Sequence, residues 1–278
     1  MNNNNSILLV DPNFDPNAAI QCNLLLKITA DSLCYVIVNT QNKRIEVLYD
    51  RQNFQDHKHE LLGLLHADPY LRLSFNSVKV CSYTINAISI PNDFYNDGLL
   101  DTYAPYFTEL EHYSSNVNTI SIPSQQHKTI FLFPQVIEDA MNKYWPEAKK
   151  FEQTAPFLSN SKYQPGFQLI IDFTAGSFFA MLNSNGELIF QNFFLTEDAE
   201  EFTYYLLLIF KQLQLDPSQI DVLISGIINE GDLQQQVLQK YFKSVIWNTA
   251  SAEVLDNSIL EDMPAHYYTS LLALQLCE

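Results

Sequence analysis

Three groups of residues in this sequence have types and spacings that could do chemistry. Asp172-Phe173-Thr174-Ala175-Gly176-Ser177 brings a carboxylate, two hydroxyls and a glycine into one short stretch, and Ser225-Gly226 repeats the hydroxyl–glycine pairing later in the chain. Hydroxyls can donate to phosphate oxygens, and glycine permits close backbone approach. A hydrated Mg²⁺ needs only one or two carboxylates. The second group is Asp56-His57-Lys58-His59-Glu60 with His66. His59 and His66 fall two helical turns apart and the i,i+4 spacing of a helical zinc pair is missing, so an exposed polar helix start is the expectation. The third group is the acids Asp97, Asp101, Glu109 and Glu111, interleaved with Phe94, Tyr95, Tyr103, Tyr106, Phe107 and Tyr113. Two opposed carboxylates would suit glycoside hydrolysis, but acids are so abundant here that such pairs arise by chance. The aromatics read as core, or, where exposed, as a patch for a protein partner. There is no G-x-x-x-x-G-K-[ST], G-x-G-x-x-G or G-x-S-x-G.

Composition narrows the classes further. The formal net charge of the 278 residues is −17, and no Lys/Arg-rich run occurs. Nucleic acid and anionic membrane surfaces would be repelled by that field, so neither is expected as a partner. With 47% hydrophobic and 13% aromatic residues the chain can bury a sizeable core. Its 7 glycines are few against an average usage of roughly 20, which argues against glycine-rich-loop enzymes. Cys22, Cys34, Cys81 and Cys277 are widely spaced and read as buried reduced thiols. No apolar run approaches the ~20 residues needed to span a bilayer. A cytoplasmic protein is expected.

These residues must be positioned by regular elements. Residues 1–22 read as a loosely attached polar arm. Strands follow at 24–29, 33–39 and 44–49, then a helix over 54–67 and a strand at 77–83. An irregular insertion covers 93–127, with a helix near 96–107 and a short strand at 119–122. A strand at 129–133 leads through Pro134 into a helix, and 146–166, with its prolines and Gly166, reads as a linker. Strands at 167–173, 177–183 and 188–194 begin the second half, the last two joined at Asn185-Gly186. Thr196 caps a helix running to about residue 215. A strand at 220–225, a helix at 232–242, a strand at 245–247 and a helix at 264–276 close the chain.

A gap-free offset of 144 residues superposes three strands, a helix and a fourth strand of the two halves, which argues for duplication. Each βββαβ set reads as a ribonuclease-H-like unit, and two in tandem as an actin-like ATPase fold with an interlobe cleft. The domains expected are 23–160 and 161–278. Several segments resemble an uncharacterised bacterial family, a domain of unknown function with that fold. They are Ala87-Ile88-Ser89-Ile90-Pro91-Asn92-Asp93-Phe94, Thr129-Ile130-Phe131-Leu132-Phe133-Pro134, the run from Glu197 to Leu207, and Val222-Leu223-Ile224-Ser225-Gly226. The resemblance covers about residues 24–277 and implies a fold rather than an activity.

In the wider superfamily each half offers an acid and a glycine-containing turn to the phosphates and Mg²⁺. The second half keeps Asp172, Thr174, Gly176 and Ser177, and later Ser225 and Gly226, as possible, vestigial nucleotide ligands. In the first half the same offset puts Ile28 opposite Asp172, and the turn Thr29-Ala30-Asp31-Ser32 has no glycine. One phosphate turn of two cannot position an in-line displacement. The expectation is a non-catalytic pseudo-ATPase acting through a protein partner, with no catalytic residue, no metal and no cofactor beyond weak Mg-ATP. The alternative is an active ATPase or sugar-kinase-like phosphotransferase.

Overall fold

The computed structural model describes residues 6–54, 57–108, 110–122, 125–160, 165–249, 255–256 and 258–278. Strand β1 (Ser6–Val10) is followed by β2 (Cys22–Ile28), β3 (Leu33–Asn39) and β4 (Ile45–Arg51), then helix α1 (His57–Ala67) and β5 (Ser77–Ser82). Strand β6 (Ala87–Pro91), helix α2 (Leu100–Tyr103), β7 (Asn118–Ser121) and β8 (His127–Phe131) come next. Helix α3 (Gln135–Tyr144), β9 (Lys149–Glu152) and α4 (Ala155–Asn160) complete the first half. The second half runs β10 (Phe167–Phe173), β11 (Ser177–Ser184), β12 (Glu187–Leu195), α5 (Ala199–Leu213), β13 (Asp221–Gly226), α6 (Leu233–Tyr241), β14 (Ser244–Trp247) and α7 (Thr269–Ala273).

One sheet has the order β1-β4-β3-β2-β5-β9 and another the order β12-β11-β10-β13-β14. In each, a three-stranded antiparallel meander crosses over through a helix to a strand parallel with the first. The central strands β2 and β10 carry CNLLLKI and FQLIIDF; β2 is buried throughout and β10 from Leu169 onward. Two covered faces require such continuous apolar runs rather than alternation. The duplication is real, but its register is not uniform. Ile28 pairs Leu33 and Phe173 pairs Phe178 at the two hairpins, so the first hairpins superpose at 145 residues. Ser82 and Gly226, which pair Ile28 and Phe173 from the crossover strands, superpose at 144. A register irregularity interrupts the meander at Ile37/Val38 and again at Leu182/Asn183, also 145 apart. Lys27, not Ile28, therefore stands opposite Asp172. A one-residue slip turns a strand's side chains to the other face, so the difference decides what occupies the site.

Other expectations are corrected. Ser6–Val10 is not a loose arm: it pairs Val47–Arg51 of β4 as the edge strand of the larger sheet. Residues 146–160 are not a linker, since β9 pairs β5 and α4 buries Ala155, Pro156, Phe157 and Leu158. Pro156 lies in the first helical turn, where its missing N–H is harmless. The insertion is larger than 93–127, because β6, β8 and β7 form a separate three-stranded sheet. Its expected long helix is the four-residue α2 between short 3₁₀ turns. Asp198 rather than Thr196 caps α5, accepting from the Glu200 and Glu201 amides. The closing helix is α7 followed by a 3₁₀ turn, Leu274–Leu276.

The last segment departs from a simple division between the halves. Tyr268, Leu271, Leu272, Leu274 and Cys277 join the hydrophobic core of the larger sheet. Helices α4 and α7 pack together, and α7 also touches β2, β3 and β13. Lys79 on β5 fixes the end of this segment by donating to the carbonyls of Gln275 (3.0 Å) and Cys277 (2.5 Å). A cation there opposes the negative end of the turn's peptide dipoles.

All four cysteines are buried and unpaired. Burial, with the Glu46 carboxylate, pushes the Cys22 thiol up to about 11, and burial pushes Cys277 to about 11. Thiolate is the reactive form. Native protein at pH 8 will therefore leave Ellman's reagent unreacted, and all four thiols will titrate after denaturation. Fast labelling of any thiol in the native state would contradict this core.

Candidate functional site

The turns that follow β2 and β10 are built alike. Thr29 N–H donates to Ser32 O (3.0 Å), and Thr174 N–H donates to Ser177 O (2.9 Å). The Thr29 and Ser32 hydroxyls lie 2.6 Å apart, and those of Thr174 and Ser177 are also hydrogen-bonded. The penultimate residue of the strand before each turn is Lys27 in one half and Asp172 in the other, 6% and 0% exposed. A buried ion must be paired and hydrogen-bonded.

Each charge is the other's partner. Lys27 Nζ donates to Asp172 Oδ2 at 2.5 Å and to Ser270 Oγ at 2.8 Å. Asp172 also accepts from Tyr83 OH (2.5 Å), Ser225 Oγ (2.7 Å) and Ser270 Oγ (3.0 Å). The Lys27 ammonium lies 4.9 Å from the centre of the Tyr83 ring, which itself packs edge-on to Phe179 and Phe193. Burial alone would push the Asp172 carboxyl up, but the Lys27 charge and the hydrogen bonds from Lys27, Tyr83 and Ser225 hold it below its usual range. Burial would likewise lower Lys27, and Asp172 outweighs it, so the ammonium is raised. Burial and the Asp172 charge both push the Tyr83 phenol well up, so it stays a donor.

The two turns also touch. Asp31 Oδ2 accepts from the Gly176 amide (2.7 Å) and from Thr174 Oγ1 (3.0 Å), while Oδ1 accepts from Thr29 Oγ1 (2.7 Å). A Cβ on Gly176 would lie 3.3 Å from Asp31 Oδ2, so this glycine leaves room for the protein's own carboxylate. Gly226 serves backbone packing. At φ +84° its place would put a Cβ 2.0 Å from Phe173 O, which only glycine avoids. Ser225 points its hydroxyl at Asp172. The six sequence-predicted residues thus lie around one junction, and their polar groups face protein partners. Glu152 ends β9 fully buried, with both carboxylate oxygens taken by the Thr154 amide and hydroxyl, and burial raises it to about 7.

Sequence reasoning missed Lys27, Tyr83 and Ser270. A lysine inside the apolar run Leu24-Leu25-Leu26-Lys27-Ile28 and an aspartate inside Ile170-Ile171-Asp172-Phe173 were the available signal. Elsewhere, His59 and His66 stand exposed on α1, and Asp56 and Glu109 lie outside the described residues.

The duplicated βββαβ sheets and the paired turns at their strand ends define an actin-like ATPase fold. A protein of Bacteroides thetaiotaomicron VPI-5482, described as having an actin-like ATPase fold and unknown function, superposes with a TM-score of 0.77 at 18% identity. That match covers 95% of this chain and 99% of that one. The PilM-PilN type IV pilus biogenesis complex provides a second match, with a TM-score of 0.58 at 14% identity over 93% and 98% of the chains. Residues 11–245 match the family described as "Protein of unknown function (DUF3822)", and the chain belongs to that family. No match is found among curated proteins.

Lys27→Met will leave Asp172 as an uncompensated buried charge, lowering stability by about 3–5 kcal/mol. Adding Asp172→Asn removes that charge and will restore part of the loss. Urea denaturation of Lys27→Met, Asp172→Asn and the double variant measures this, and strictly additive losses would show that the two groups are uncoupled. The depressed Asp172 carboxyl adds stability above its unfolded pKa of about 3.9, lost as pH falls through the lower folded value. The raised Lys27 adds stability below about 10.4, lost as pH rises through the higher folded value. Across neutral pH the pair's contribution is flat.

Proposed function

We propose that this chain is a non-hydrolysing actin-like-fold protein, a pseudo-ATPase, that works in the cytoplasm by binding a protein partner. The observation that carries the reading is the Lys27–Asp172 pair at the two equivalent strand ends. A phosphotransferase of this fold needs carboxylates facing Mg²⁺ and turn amides facing phosphate. Here one acid position is a lysine, the other acid is consumed by it, and the Gly176 amide is already donated to Asp31. Asp172, Thr174, Gly176, Ser177, Ser225 and Gly226 are accordingly vestigial as nucleotide ligands. Mg-ATP would have to displace Asp31, against a net charge of −17.

The hydrolase reading has one observation in its favour, since Glu152 is raised to a range suited to a general base. Its exposure is 0% and Thr154 occupies both of its oxygens, so a substrate water has no approach. A partner-binding role has support from the fold relative PilM, which is found in a complex with PilN. Among the described residues no helix is long and apolar enough to cross a membrane. The buried free thiols suit a reducing compartment.

Thermal unfolding with millimolar Mg-ATP tests the reading. Ligand at one hundred times its Kd adds about 2.7 kcal/mol. The wild type will show no shift and no phosphate release, and any shift will appear only in Asp31→Ala, which frees the Gly176 amide. A clear wild-type shift with continuous phosphate release would overturn the proposal in favour of a hydrolase.

A further inference from the structure

We propose that the outer face of the layer over the three-stranded sheet, residues 92–108 and 110–112, docks a basic, amphipathic segment of a partner protein. The proposal rests on the partner-binding reading above and adds the surface and the chemistry. The layer is two-sided. Tyr95, Leu100, Tyr103, Phe107 and Tyr113 pack inward with Ile90 and Ile130 of the sheet and with Leu132 just beyond β8. Their chain neighbours point the other way: Phe94 is 76% exposed, Tyr106 71%, Leu110 50% and Leu99 48%. Single exposed apolar side chains are ordinary on a protein surface, but four on one short layer, two of them aromatic, are the composition of an interface anchor.

The layer is also tied down at two points. The buried Asn86 side chain accepts from Thr108 N–H and donates to Thr108 O, both at 2.7 Å. Tyr103 OH donates to Phe94 O at 3.1 Å and stacks on Tyr95, so the turn bearing Phe94 is tied to α2.

Charge selects the occupant. Between Lys79 and Lys128 the sequence holds Asp93, Asp97, Asp101, Glu109 and Glu111 and no Lys or Arg, and Lys128 itself lies over the Tyr95 ring, 4.3 Å from its centre, at the edge of the layer. Asp93, Asp97 and Glu111 are exposed beside the apolar side chains. A second copy of this chain would set acids against acids, and an anionic membrane would be repelled. A segment alternating Lys/Arg with Leu or aromatic residues meets both requirements.

The probe is a fluorescein-labelled helical peptide of Leu and Lys, with a twin in which every Lys is Glu, titrated by anisotropy against full-length protein. The wild type will bind the basic peptide and not the acidic twin, and added salt will weaken it. Phe94→Ala with Tyr106→Ala will weaken binding about tenfold or more, at unchanged melting temperature because both side chains are exposed. Asp93→Lys with Glu111→Lys will weaken it independently. Tyr204→Ala with Leu233→Ala, which removes exposed side chains on α5 and α6, will leave it unchanged. The proposal is overturned if the basic peptide does not bind, or if all three double variants behave alike. Binding of the acidic twin would also overturn it, as would a self-association that Phe94→Ala with Tyr106→Ala abolishes. None of these outcomes touches the non-hydrolysing reading, which fails only on Mg-ATP turnover.

Discussion

An ammonium and a carboxylate cannot each be buried alone at the ends of two central strands, and everything at the junction between the two sheets follows from that constraint. The isolated desolvation penalty for either ion is several kcal/mol, and mutual attraction offsets it only with good geometry and every remaining lone pair satisfied. Lys27 and Asp172 meet that condition through Tyr83, Ser225 and Ser270, which come from β5's C-terminal side, β13 and α7. Four separate chain segments therefore converge on the carboxylate that β10 carries. The network also takes in α7, whose Ser270 hydroxyl bonds to both charges.

Pseudo-symmetry gives this pair its meaning. A duplicated fold presents two equivalent strand-end positions, and in a metal-dependent phosphotransferase both would present acids to one cation. Here one of the two positions is a lysine, and its ammonium lies against the carboxylate at the other. Asp31 extends the same substitution to the anion, since its carboxylate takes the Gly176 amide and the Thr174 hydroxyl that phosphate oxygens would take. Both turns thus keep threonine and serine hydroxyls at matching places, and the groups they meet belong to the protein itself.

Much of the architecture was legible in the sequence. The meanders and crossovers were readable because strands covered on both faces must be continuously apolar, and because Asn185-Gly186 admits few turns. The edge strand Ser6–Val10 was not, since five residues flanked by Asn and Pro resemble an extended tail until β4 supplies hydrogen bonds. The prolines of 146–166 suggested a linker, yet Pro156 opens a buried helical turn. The 93–127 insertion resisted because short 3₁₀ turns carry no sustained period. At the site, the retained acid, hydroxyls and glycines were found, and their partners were not. A gap-free alignment of the halves hides shifts of one residue, and one residue separates Ile28 from Lys27. Composition around the turns showed no nearby cation, because the cation lies inside the strand.

The Gly176 amide is already committed to an internal anion, the Asp31 carboxylate. The proton and nitrogen shifts of that amide in ¹⁵N-labelled, deuterated protein measure it directly. A downfield, slowly exchanging Gly176 signal is expected, staying in place as Mg-ATP is added to millimolar concentration and moving upfield in Asp31→Asn. A wild-type Gly176 signal that shifts saturably with Mg-ATP would mean that nucleotide phosphate reaches the turn and that Asp31 does not hold the amide against it.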